Sequence, residues 1–159
     1  MQYFEDIEIG ITRKFGSYEV TREEVLAFAR NYDPQPFHLD DEAAAKTHFG
    51  RISASGWHTC SMTMRMMVDD MAANNPQAAL GSPGVDELRW LTPVYPGDTL
   101  RCELTTTGKR RSRSKPEMGS IFAQMSTFNQ HDVMVMSFNT IGLIRCRTTG
   151  QTTEDKEIS

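Results

Sequence analysis

The segment Tyr32-Asp33-Pro34-Gln35-Pro36-Phe37-His38 places a carboxyl and an imidazole five positions apart, with two prolines between them. Each proline fixes its own φ and restricts the residue before it, so Asp33 and Gln35 keep few backbone conformations. A loop stiffened in this way loses less entropy when it holds two side chains at one point. An acid and an imidazole aimed at one point can move protons to and from a water molecule and a carbon atom. The same residues also suit a plainer role, with Asp33 ending a helix and His38 packing a turn, because Asp-Pro is common in turns.

A second element is Ser-Ala-Ser-Gly-Trp-His at 53–58. Gly56 precedes or begins a helix, where free amides carry partial positive charge. Glycine lets a ligand approach the backbone closely. Together these make a donor for a carbonyl oxygen that gains negative charge during reaction. The competing reading is that Gly56 only allows tight packing of the helix. His48, His58 and His131 have no ligand-like spacing, so a metal site is not expected, and His58 reads as a surface or supporting residue. Lys109, Arg110, Arg111, Arg113 and Lys115 form a basic stretch between two strands. It reads as a solvated hairpin, or as a contact for a phosphorylated ligand.

The elements that would position these groups follow from periodicity. Lys14–Val20 alternates as a strand. Thr21 is an N-cap with Glu24 three residues on, a capping box, and Val25, Phe28 and Ala29 mark one face of a helix ending near Tyr32. A short helix follows Asp40. After Gly56, Trp57, Cys60, Met64, Met67, Val68 and Met71 recur at helical spacing, with Met62 and Met66 widening the apolar surface. From residue 85 the period changes to two, giving strands over 85–94, 99–105, 120–128 and 133–144, the last two joined by the hairpin loop at 129–132. The expected class is α+β: one strand, helices, then four strands meandering antiparallel, with the long apolar helix laid against the sheet.

The chain has 159 residues and a formal net charge of −4. That length suits one domain over residues 1–147, followed by a polar C-terminal tail at 148–159 expected to fray. Such a charge gives no reason to expect nucleic acid or an acidic membrane, and no apolar run approaches the roughly 18 residues of a membrane span. The N-terminus lacks the basic and apolar regions of a signal peptide, so the expected location is cytoplasmic. Cys60, Cys102 and Cys146 are far apart and form no CxxC pair, so they read as free buried thiols.

The spacing Asp33–Pro36–His38, Gly56 standing 18 residues beyond the histidine, and the segment Glu87–Asp98 with its Trp90, Pro93-Val94 and Gly97-Asp98 resemble the MaoC-like dehydratases and (R)-specific enoyl-CoA hydratases. The resemblance covers roughly residues 5 to 145. It implies a hot-dog fold, an antiparallel sheet wrapped around a long central helix. It also implies reversible addition of water across the α,β double bond of a 2-enoyl-CoA thioester. Asp33 and His38 would be the acid–base pair and the Gly56 amide the oxyanion donor. Gln35, Pro36, Phe37, Ser55 and Trp57 would line the substrate site, with Arg111, Arg113 and Lys115 near the CoA phosphates. No metal or separate cofactor is implied, since CoA is part of the substrate. A single such unit leaves a sheet edge open, so a homodimer, or a higher oligomer of dimers, is expected. The chain departs from the family pattern at Gln35, where the family has Asn, at Ser55, where it commonly has His, and at Met64, where some hydratases have Ser. The competing functions are an acyl-CoA thioesterase and a non-catalytic acyl-CoA binding protein.

Overall fold

The computed structural model describes residues 1–147, so the tail at 148–159 lies outside the described residues. The elements are a 3-10 turn at Phe4–Asp6, β1 Thr12–Glu19, α1 Arg22–Tyr32, α2 Pro36–Leu39, α3 Asp41–Ala45, α4 Gly56–Ala73, β2 Ala79–Trp90, β3 Thr99–Arg111, β4 Met118–Phe128 and β5 Met134–Arg145. The five strands form one antiparallel sheet in the order β1-β3-β4-β5-β2. The sheet wraps α4, and Met62 and Met66 of the helix share a core with Leu100, Cys102, Met125 and Met136.

Two expectations are corrected here. β2 was read as the first strand of a meander, but it pairs with β5 at the far edge, and β1 takes the place beside β3. The connection from β2 to β3 carries Pro93 and Pro96, and passes under the start of α4, where the Ala54 N–H donates to the Val94 carbonyl at 2.8 Å. A chain held there crosses the sheet rather than turning back on itself. The second correction concerns which face of α4 is buried. The buried residues are His58, Thr59, Met62, Thr63, Met66 and Asp70. Of the stripe with the strongest apolar period, Cys60 and Met67 pack against this core, while Trp57, Met64 and Val68 are each at least 50 % exposed. Thr63 is accommodated inside because its hydroxyl bonds Thr127 at 2.9 Å.

Local signals hold more closely. Thr21 caps α1 by accepting the Glu24 N–H, and α1 ends at Tyr32 as Pro34 requires. The Glu24 carboxylate does not close the box; it accepts the Tyr18 hydroxyl at 2.8 Å instead. Asp40 caps α3. The β4–β5 hairpin turns at Asn129, whose amide donates to Val133, with Asp132 at φ 57°. Cys60, Cys102 and Cys146 are free, and burial pushes the Cys102 thiol up to about 11.

Candidate active site

The residues 32–38 are not a simple loop. Asp33 caps the end of α1, with its N–H on the Ala29 carbonyl, and Pro36 opens the single turn α2 at a position that needs no N–H. The turn swings His38 back toward Asp33, so that His38 Nε2 lies 3.3 Å from Asp33 Oδ2. His38 is buried, and its Nδ1 sits 2.7 Å from the Ser53 carbonyl. A carbonyl only accepts, so Nδ1 carries a proton, and Nε2 is the ring nitrogen that faces the carboxylate. Phe37 packs edge-on to the His38 ring at 4.5 Å and stacks on Phe49 at 5.4 Å, which holds the imidazole plane.

Asp33 is held below its usual 3.8. Burial acts against this, and the hydrogen bonds from Gln35 and Ser55, with the nearby His38, outweigh it. The Gln35 amide donates to Asp33 Oδ1 at 2.7 Å. The residue that departs from the family's Asn therefore still serves the acid. Ser55 is the N-cap of α4 and accepts the Trp57 N–H at 3.3 Å. Gly56 is the first residue of α4, where no acceptor within the helix is available to its N–H. The glycine is also required by packing. A Cβ there would lie 2.7 Å from Nε1 of Trp90. Trp90 donates its indole N–H to the Gly56 carbonyl at 2.9 Å and meets Trp57 in a T-shaped contact.

Asp33, Gln35, Pro36, Phe37, His38, Ser55 and Gly56 are thus gathered at one end of α4, and Trp57 stands beside them, exposed. Arg111, Arg113 and Lys115 are not gathered there. The β3–β4 hairpin lies at the Arg145 end of β5 and Trp90 pairs at its Met136 end, about 30 Å apart along the strand. Arg111 is ion-paired with Glu5, and Lys109 donates to the Phe4 and Ile7 carbonyls. In one chain these residues secure the N-terminal turn. His58 is buried rather than superficial, stacked on Phe28 at 4.7 Å, and burial holds its pKa down. Sequence reasoning missed Ser53, which acts through its backbone and so leaves no side-chain signal. Trp90 enters the sequence reading as part of the family-like segment, with no contact to Gly56 foreseen.

A cavity of about 650 Å³ lies between the C-terminal half of α4 and the sheet. Met64, Met67, Val68 and Met71 line it from the helix, Leu104, Ile121 and Leu143 from the sheet, and Ala79, Gly81 and Ser82 from the start of β2. It shares no lining residue with the Asp33–His38 pair. Arg13, which faces it, is tied to Asp70 at 2.6 Å.

The comparisons with known proteins bear on the family and the fold. A family model described as "MaoC like domain" matches residues 6–130. YdeM of Bacillus subtilis is 28% identical over 82% of this chain and 90% of its own length. The mesaconyl-CoA hydratase of Cereibacter sphaeroides is 35% identical over 52% of this chain, and the match spans only 22% of that longer protein. The crystal structure of a MaoC-like dehydratase from Rhodospirillum rubrum superposes with a TM-score of 0.83 at 35% identity, covering 93% of this chain and 99% of the other. With its hot-dog fold and a family match over most of its length, this chain belongs to the MaoC-like domain family.

Proposed function

We propose that the protein is a hydro-lyase that adds water reversibly across the α,β double bond of a 2-enoyl-CoA thioester. The observation that carries this reading is the opposition of His38 Nε2 and Asp33 Oδ2 at 3.3 Å, with Nδ1 locked on Ser53. Groups this close converge on one water molecule, which donates a proton to one of them. Thioester conjugation makes the β carbon electrophilic. As the water oxygen bonds to it, one water proton passes to the pair and charge develops on the thioester oxygen, where the Gly56 N–H stabilises it. The pair then returns a proton to the α carbon, the enolate collapses, and both groups regain their starting state. The CoA is part of the substrate, and the scheme uses no other cofactor.

The reading includes a homodimer joined at the β2 edge. β2 is an edge strand and, apart from Leu88, is exposed along its length. The exposed stripe of α4 lies open on the same molecule. The acyl chain would occupy the cavity, whose volume suits a small-molecule site. Among the described residues that line it the only cation, Arg13, is paired with Asp70, and Asp6 and Glu8 face the same space. This favours an uncharged aliphatic chain over a dicarboxylic one.

The test is a panel of 2-enoyl-CoAs scored by loss of enoyl absorbance together with a free-thiol assay. Hydration removes absorbance and releases no thiol; Asp33→Asn and His38→Ala each lower turnover by at least ~100-fold. Thiol release would make the protein a thioesterase, and binding without turnover across the panel would make it a carrier. Full activity in both variants removes the pair from the mechanism.

A further inference from the structure

We infer that Trp90 is a positioning residue that sets the direction of the Gly56 N–H, and so the strength of the oxyanion donor; this rests on the hydratase reading above. A glycine at a helix start has the widest torsional freedom of any residue, and a donor that swings contributes little to a charge that exists only in the transition state. Gly56 is held from two sides. On one side the preceding peptide, which carries the Gly56 N–H, is fixed by its Ser55 carbonyl, which accepts the His58 and Thr59 N–H groups at 2.9 and 3.1 Å. On the other, Trp90 fixes the following peptide through its indole N–H on the Gly56 carbonyl at 2.9 Å. Its ring lies against the glycine Cα so closely that no side chain fits between them.

Trp90 is itself anchored. It is the last residue of β2, registered opposite Met136 of β5, and its ring meets Trp57 edge-on with centroids 5.2 Å apart. The strand therefore transmits the position of the sheet to the first peptide of α4. The Gly56 carbonyl is an ordinary helical acceptor without Trp90, so the indole bond is an addition to the helix and not part of it. Its effect falls on geometry at the donor rather than on the existence of α4.

Trp90→Phe keeps an aromatic ring at this place and deletes the N–H. The expected result is kcat lowered by about tenfold with KM changed less than about twofold, because the donor acts more on the transition state than on the bound substrate. A saturated acyl-CoA, which binds without reacting, reports the same change directly: its thioester carbonyl stretch, red-shifted on binding to the wild type, shifts less on binding to the variant. Purely structural damage would lower the thermal midpoint and leave the carbonyl frequency of the bound fraction as in the wild type. In the wild-type protein the Trp90 indole proton should exchange with solvent more slowly than that of Trp57, a measurement that holds even if the variant folds poorly. Unchanged kcat in Trp90→Phe, an unchanged carbonyl shift, or equal exchange of the two indole protons overturns the inference while leaving hydration intact. A wild type that hydrates no enoyl-CoA instead removes the reading on which it rests.

Discussion

Asp33 is tuned by its neighbours in the direction that keeps it ionised, and the sign of that tuning can be tested at Gln35. A donor to the charged form favours that form, so the Gln35 amide at 2.7 Å draws the Asp33 carboxyl below its usual value. Gln35→Ala removes the donor and leaves burial acting upward, so the acid limb of the kcat/KM profile should move to higher pH, with the neutral plateau little changed. A limb that stays in place belongs to another group and removes Asp33 ionisation as the limit on turnover. The same shift bears on stability. A carboxyl whose folded pKa lies below its unfolded one stabilises the fold above the unfolded value, near 3.8, and that contribution is lost as pH falls through the folded value. Gln35→Ala should therefore also narrow the margin against acid unfolding. The two prolines between Asp33 and His38 mark a stiffened segment in the sequence, but the spacing suits a helix end and a packed turn as well, and the family resemblance is what singles the pair out. The tautomer was not legible, because it depends on a backbone carbonyl fifteen residues away.

At the scale of elements, the caps and the stops were readable and the burial of α4 was not. Thr21, Asp40 and Pro34 act within one turn of their own position, and the structure uses each as its chemistry dictates. The face that α4 buries depends instead on partners from distant strands. Thr63 goes inside because Thr127 meets its hydroxyl, and Asp70 because Arg13, Asn74 and Asn75 satisfy its carboxylate. The sequence reading expects Trp57, Met64 and Val68 to be buried, and in the single chain they are exposed. An apolar stripe left open on one chain is suited to a second chain. Val68→Glu places a charge there, outside the buried core of the single chain but in the lining of the cavity, so assembly and not activity is the readout. The expected outcome is a shift from dimer to monomer by light scattering at micromolar concentration, with helix content by circular dichroism unchanged. A dimer as stable as the wild type removes the stripe from the interface.

For the whole molecule the question is how a cavity and a catalytic pair that share no residue serve one substrate. Within one chain, Gly56 and Met64, the nearest cavity residue of the helix, are separated by about 12 Å along α4, and Met71 by about 22 Å. A two-fold joining β2 edges antiparallel reverses this relation. Ser82 at one end of β2 lines the cavity, and Trp90 at the other end touches Gly56. Pro83 has no N–H to offer, so pairing falls to the stretch after it, and turning that stretch about its middle sets one copy's Trp90 opposite the other's Gly84, two residues from Ser82. Each pair then faces the cavity of the other copy. The arrangement makes an exclusive prediction for mixed dimers of Asp33→Asn, which spoils the pair, and Met67→Trp, which fills the cavity. If pair and cavity act across the interface, the mixed dimer holds one site with both defects and one with neither, and refolding the two inactive variants together restores up to about a quarter of wild-type activity by random assortment. If they act within one chain, every site in the mixed dimer carries one defect and nothing is restored. Recovery of hydration on mixing therefore supports the crossed arrangement, and its absence with dimers demonstrably formed returns the acyl chain to a groove within the single chain.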